Sequence, residues 1–155
     1  MSHEQRLAEL GITLPEVAAP VAAYVPAVQT GRYVYTSGQL PFAEGTLQAT
    51  GKVGEGEGLV SPDDAAGYAR TCALNALAAV RSITGSLDSI SRIVKVVGFV
   101  ASDPSFSGQP GVINGASTVL GEIFGDAGLH ARSAVGVAVL PLDSPVEVEL
   151  VVELA

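Results

Sequence analysis

Apolar positions along the chain follow two periods. Between Ser61 and Thr84, the residues Ala69, Cys72, Ala73, Ala76, Leu77 and Val80 recur at the spacing of one helix face. Ser61 reads as the N-cap of that helix, Pro62 as its first helical residue, and Asp63 and Asp64 as its acidic first turn; Gly85 reads as its stop. A second helix is predicted over 110–124, from Pro110 to Phe124, with Gly125 ending it. A short amphipathic helix is predicted over 2–11, with Leu7 and Leu10 on one side and Gly11 as its stop. The remaining apolar residues follow the strand period. Residues 32–37 and 90–101 are rich in β-branched and aromatic residues. Residues 132–139 form another strand. Residues 146–154 alternate Glu147, Glu149 and Glu153 against Val148, Leu150, Val152 and Leu154. Residues 24–29 are extended and join 32–37 through a turn at Thr30-Gly31, which predicts a hairpin.

The resulting order is β-β-α-β-α-β-β behind an extra N-terminal helix. Helices between strands and hairpins at both ends predict an α+β layer, a mixed sheet with two helices on one face. In the strand at 132–139, Val135, Val137 and Val139 alternate with Ala134, Gly136 and Ala138, so both of its faces need cover. The helices cover one face, and a partner subunit is the natural cover for the other. The chain reads as a single domain over 1–155. Residues 1–20 supply the N-terminal helix and a connector through Pro15 and Pro20, and a Gly- and Glu-rich insertion at 43–60 is expected to be a long exposed loop. The run Gly-Glu-Gly-Glu-Gly at 54–58 is no phosphate cradle: no Lys-Ser/Thr follows it, and its glutamates repel phosphate.

Composition strengthens the case for a partner. Hydrophobic residues make up 48% of the 155 positions and charged residues 15%, against about 25% charged in a typical soluble domain. Aromatics are only 5%, so the surplus consists of small aliphatic residues. Few charges over much small apolar surface predict an oligomer. The net charge is −8, and the eight basic residues form no run, so neither nucleic acid nor an anionic membrane surface is an expected partner. No stretch reaches the length of a membrane span and the N-terminus lacks a signal-peptide pattern, which predicts a cytoplasmic protein. Cys72 is the one cysteine, lies within a helical pattern and is expected to be a buried small hydrophobe.

Candidate chemistry centres on two places. Arg132 is the only charge between Asp126 and Asp143. A guanidinium at the mouth of an uncharged strand needs a partner. It is either a carboxylate anchor, since the Arg fork matches a carboxylate, or half of a structural ion pair with Glu147 or Glu149. Those two glutamates share one strand face, which is either a solvated face or a site where a glutamate with a tuned pKa acts as acid and base. His3 and His130 accompany no Cys/His cluster, so no metal site is expected, and His130 is expected at the surface near Arg132. Ser37 in Thr-Ser-Gly-Gln is not a nucleophile elbow, and no dinucleotide fingerprint is present, so no cofactor is expected.

Four segments resemble the RidA/YjgF family, also known as endoribonuclease L-PSP-like. They are Tyr33-Val-Tyr-Thr-Ser-Gly-Gln-Leu-Pro41, Val97-Gly-Phe-Val-Ala101, Ala131-Arg-Ser-Ala-Val135 and Leu140-Pro-Leu-Asp-Ser-Pro-Val-Glu-Val-Glu149. The resemblance covers about 20–154, and the N-terminal helix and the 43–60 insertion resemble a longer subgroup. It implies a chorismate-mutase-like fold, a homotrimer whose sheets form a central barrel, and sites in clefts between subunits. It implies hydrolysis of 2-imino acids or their enamine tautomers to 2-keto acids and ammonia. By resemblance Arg132 binds the substrate carboxylate and Glu147 places or activates water, while Tyr24, Ser37 and Asn114 match further site positions. The cysteine common in the family two residues after the arginine is Ala134 here, where a backbone group can still reach the substrate. The Gly-Pro that commonly precedes the tyrosine is Ala22-Ala23. Besides a deaminase, the sequence leaves open a non-catalytic trimer that binds small 2-keto acids. An endoribonuclease fits the acidic charge poorly.

Overall fold

The computed structural model describes residues 1–17, 19 and 23–155. The expectations at Pro20 and Ala22 lie outside them. Helix α2 runs Pro62–Thr84. It starts where the Ser61 hydroxyl accepts the Asp64 amide at 3.1 Å, with Pro62 in the first turn, where its missing N–H costs nothing. It stops at Gly85, whose φ of +81° suits a residue without a Cβ and whose amide returns to the Arg81 carbonyl. Helix α1 spans His3–Glu9 and carries a capping box between Ser2 and Gln5. Its Leu7 is buried, and Arg6 Nε donates to the Glu122 carbonyl at 2.9 Å, which ties it to α3 (Gln109–Phe124).

Five strands form the main sheet: β1 (Ala27–Thr30), β2 (Tyr33–Thr36), β5 (Ile90–Ala101), β6 (Ala131–Val137) and β7 (Val146–Leu154). Their spatial order is β1-β2-β7-β5-β6. Only β5 and β6 run parallel, with α3 crossing between them. The sheet is therefore mixed, with α2 and α3 on one face, as the element order implied. Val34, Ile93, Val96, Val100, Val146, Val148, Leu150 and Val152 point under the helices and are fully or almost fully buried. On α2, Ala69, Cys72, Ala73, Ala76, Leu77 and Val80 are all buried against them. The two helices meet closely at Gly115, where a Cβ would collide with the Ala66 backbone carbonyl. Among the described residues no helix is long and apolar enough to cross a membrane.

The 43–60 segment departs from a plain exposed loop. It contains most of a small hairpin, β3 (Phe42–Ala43) with β4 (Thr46–Leu47). Farther on, Val53 is fully buried, and its backbone is fastened to Ala101 and Asp103 by hydrogen bonds of 2.7 and 2.9 Å. Other boundaries move by one to three residues, and α1 is shorter than the expected 2–11. β1 starts at Ala27 rather than 24, and β6 ends at Val137, where its carbonyl accepts the Ser102 amide. Much of the sheet face opposite the helices has no cover among the described residues. Tyr35 is 48% exposed, Val28 52% and Val135 43%. The second buried face that the sequence asked for is thus not supplied by the chain itself.

Candidate functional site

Arg132 stands on β6, the edge strand, with its side chain on the helix side. Nη1 donates to Asn114 Oδ1 at 2.8 Å and to Ser117 Oγ at 3.1 Å, and Nη2 donates to the Pro110 carbonyl at 3.4 Å. Asn114 and Ser117 are one turn apart on α3 and so share the face that meets β6. Arg132 has no carboxylate partner among the described residues, whereas Arg6, Arg32, Arg70 and Arg81 each have one. The ion pair with Glu147 or Glu149 considered for Arg132 does not form within the subunit. Both Nη1 hydrogens are engaged, while Nε–H and one Nη2–H have no partner among the described residues. Those two donors are what a carboxylate requires. Ala134 lies two residues along the same face, opposite Gly98 of β5 in the register. Gly98 has no room for a Cβ because the Ile113 side chain fills that space.

Glu147 lies elsewhere. It sits on β7 beside Phe99 of β5, on the sheet face turned away from the helices, and β5 separates it from β6. The chain after β2 curls over it. Gln39 pairs with Val148, and Gly38 passes so close that a Cβ there would stand 2.7 Å from Glu147 Cδ. Ser37 heads that segment. Its amide donates to the Pro26 carbonyl at 2.8 Å and its hydroxyl to the Val25 carbonyl at 2.6 Å, which ties the stretch just after Tyr24 to it. Tyr24 itself is 49% exposed. Burial raises the Glu147 carboxyl above its ordinary pKa, and the negative charge of Glu149 raises it further. Cys72 Sγ lies 4.0 Å from the Val146 carbonyl. Burial, and then the charge of Glu147, hold its thiol well above the usual value, so it stays protonated and unreactive.

The structure thus brings Arg132, Asn114 and Ala134 together, and separately Glu147 and the Ser37–Gly38 segment, to which the stretch after Tyr24 is tied through the Val25 and Pro26 carbonyls. The two groups occupy opposite faces of one sheet. Two open clefts on the subunit, one lined by Leu14, Val17 and Arg81 and the other by Tyr33, Arg92 and His130, contain neither Arg132 nor Glu147. Among the described residues no three His, Cys, Asp or Glu side chains converge as metal ligands would. Sequence reasoning missed Ser117 and Gly38. Ser117 was readable as the residue one helical turn beyond Asn114, but nothing local marked Gly38. His130, expected at the surface near Arg132, lines the second of these clefts. It is half-buried, and it is joined to Arg132 through Ser117.

Comparison with known proteins shows the family. A family model described as "YjgF/chorismate mutase-like, putative endoribonuclease" matches residues 4–154. Protein TCP17 of Trypanosoma cruzi is 42% identical over 96% of this chain and 91% of its own. The crystal structure of Atu1372 from Agrobacterium tumefaciens, of unknown function, is 44% identical and superposes with a TM-score of 0.89, covering 99% of this chain and 92% of that one. E. coli TdcF, solved with bound serine, is 26% identical with a TM-score of 0.65, covering 92% of this chain and 96% of that one.

Proposed function

Because the chain belongs to the YjgF/chorismate mutase-like family, we propose that it hydrolyses small 2-imino acids, or their enamine tautomers, to 2-keto acids and ammonia. The reaction takes place in clefts between the subunits of a homotrimer. The observation that carries this reading is Arg132, a guanidinium fixed on one side by α3 and holding two donors free for a small carboxylate. The serine bound to TdcF has the same α-carboxylate chemistry. The uncovered sheet face and the separation of Arg132 from Glu147 call for a second copy, which brings the Glu147 half of one subunit to the Arg132 half of the next.

In such a cleft Arg132 binds the substrate carboxylate and fixes the imine carbon in place. Asn114 holds the guanidinium in plane. Glu147 accepts a proton from water as the oxygen adds to the C=N carbon, which gives a carbinolamine. It returns that proton to the nitrogen, then takes the hydroxyl proton as the C=O bond forms and delivers it to the nitrogen as the C–N bond breaks, so that ammonia leaves with the keto acid behind. A carboxyl with raised proton affinity suits both transfers. The imine carbon is already electrophilic, so the step draws on orientation and one proton carrier. Ser37 and Tyr24 shape the Glu147 side of the cleft, and the Ala134 backbone lines the other side.

One observation favours a second reading. With Ala134 where the family resemblance implies a cysteine, the clefts bind 2-keto acids without turnover. A single experiment separates the two. Iminobutanoate is generated from threonine by a dehydratase, and ammonia release is followed with and without the protein. Acceleration that disappears in Arg132→Ala, by about 100-fold or more, supports the deaminase. Binding of 2-ketobutyrate with no acceleration supports the second reading. An unchanged rate in Arg132→Ala overturns the role given to that residue.

A further inference from the structure

We propose that Ser117 and His130 are positioning residues that aim Arg132, so that the carboxylate affinity of the site is set partly by an imidazole that never touches the ligand. The proposal rests on the reading of Arg132 as the carboxylate anchor. His130 Nδ1 lies 2.6 Å from the Gly128 carbonyl, and His130 Nε2 lies 2.9 Å from Ser117 Oγ. A carbonyl only accepts, so Nδ1 carries the hydrogen of the neutral ring. Ser117 Oγ already accepts from Arg132 Nη1 at 3.1 Å. Its single hydrogen is therefore free to point at Nε2, the ring nitrogen left with a lone pair. Every donor in the row then points the same way: guanidinium to hydroxyl, hydroxyl to imidazole, imidazole to the Gly128 carbonyl. Hydrogen bonds aligned in this sense strengthen one another.

The backbone supports the row at its far end. Gly128 closes the tight turn Gly125–Gly128 that follows α3, and it is buried so close to the Leu120 carbonyl that no side chain fits there. The acceptor for Nδ1 is therefore anchored to the same helix that carries Asn114 and Ser117. Without Ser117 the guanidinium is held by Asn114 at 2.8 Å and by the longer 3.4 Å bond from Nη2 to the Pro110 carbonyl. Ser117 takes the second Nη1 hydrogen at 3.1 Å and so tightens the rotation of the guanidinium, while Nε–H and one Nη2–H stay without a partner among the described residues. The orientation of Ser117 is in turn set by the tautomer of His130. A hydroxyl with no acceptor for its own hydrogen turns freely and presents its lone pair to Arg132 only part of the time.

The test uses the full chain and 2-ketobutyrate as the probe, titrated by calorimetry into wild type, Ser117→Ala, Ser117→Thr, His130→Ala and Arg132→Ala. Ser117→Ala is expected to weaken binding about 10-fold and His130→Ala about threefold, as expected for loss of a charge-assisted hydrogen bond and of the neutral one behind it. Ser117→Thr, which keeps the oxygen, restores wild-type affinity. In the imine assay the Ser117→Ala loss falls on KM rather than kcat. Wild-type affinity in Ser117→Ala, with binding lost in Arg132→Ala, overturns this proposal and leaves the anchor role of Arg132 standing. Wild-type affinity in Arg132→Ala overturns both. Should a variant fail to fold, nitrogen-15 shifts of His130 in the wild type at about pH 8, where an ordinary imidazole is neutral, still decide. The Nδ1–H tautomer supports the row, and the Nε2–H tautomer overturns it.

Discussion

The Arg132 side and the Glu147 side of this molecule are built by opposite means. Around Arg132 each engaged N–H meets an oxygen: the Asn114 amide, the Ser117 hydroxyl and the Pro110 carbonyl, all on α3. The cation is satisfied enough to be rigid, yet two donors stay unclaimed. Around Glu147 the chain supplies close packing and little compensation. Gly38 presses on the carboxyl, Glu149 adds a like charge, and the proton affinity rises. A group that has to hold an anion in one orientation gains from fixed partners. A group that has to exchange a proton gains from an environment in which neither protonation state is strongly preferred. The sheet keeps the two environments apart within a subunit, and no ion pair forms between Arg132 and Glu147 there.

The strongest way to break this comparison is to separate the halves genetically. Arg132→Ala and Glu147→Gln are each expected to be nearly inactive. When the two are co-expressed so that subunits mix at random in equal amounts, about one quarter of the clefts in a cyclic trimer pair an intact Arg132 half with an intact Glu147 half. Imine hydrolysis is then expected to recover to about that fraction of wild type. No recovery means that the two residues do not meet across subunits, and the division of labour drawn here fails.

Two glycines sharpen the contrast at the level of packing. At Gly98 a Cβ meets the Ile113 side chain, which is fully buried and cannot withdraw. Gly98→Ala is expected to cost about 1–3 kcal/mol, the usual range for overpacking a core. At Gly38 a Cβ meets only the flexible end of Glu147, 2.9 Å from Oε1. Gly38→Ala is expected to cost under about 0.5 kcal/mol and to slow the reaction by moving the carboxyl. Urea midpoints check the first statement and rates the second. If Gly38→Ala proves the more destabilising, the Glu147 side is the rigid one.

What was legible in the sequence follows from how local each signal is. α2 could be bounded to the residue because both of its caps, Ser61 and Gly85, are written beside it. β7 could be bounded because one face is buried and the period of two is unbroken. The β3–β4 hairpin was not read. Its strands are two residues long, and its turn is Glu44-Gly45, both with positive φ, instead of the usual Asn-Gly. Val53 was not read either, because a single apolar residue between Lys52 and Gly54 has no period to betray its burial. At the candidate site, the proximity of Asn114 to Arg132 was available only through family resemblance. The Gly38–Glu147 contact needed the register of Gln39 on Val148, which no local pattern encodes.

The smallest effect is a pH-dependent difference in stability, and its sign is fixed by the raised pKa of Glu147. Between the ordinary carboxyl pKa and the raised one, the folded chain holds a proton that the unfolded chain has released, so stability falls as pH rises through that window. Glu147→Gln is neutral throughout and escapes this loss. The melting temperatures of variant and wild type are expected to agree at about pH 4 and to separate above it, with the variant higher, until the folded-state carboxyl is fully ionised. Asp88 and Asp103 have lowered pKa values and act in the opposite sense, but they are common to both proteins and cancel in the difference. Thermal melts from acid to neutral pH check the prediction. If instead the variant becomes the less stable one as pH rises, a cation from a neighbouring subunit is holding Glu147 ionised. The two sides would then be an ion pair across the cleft, and substrate would have to displace it.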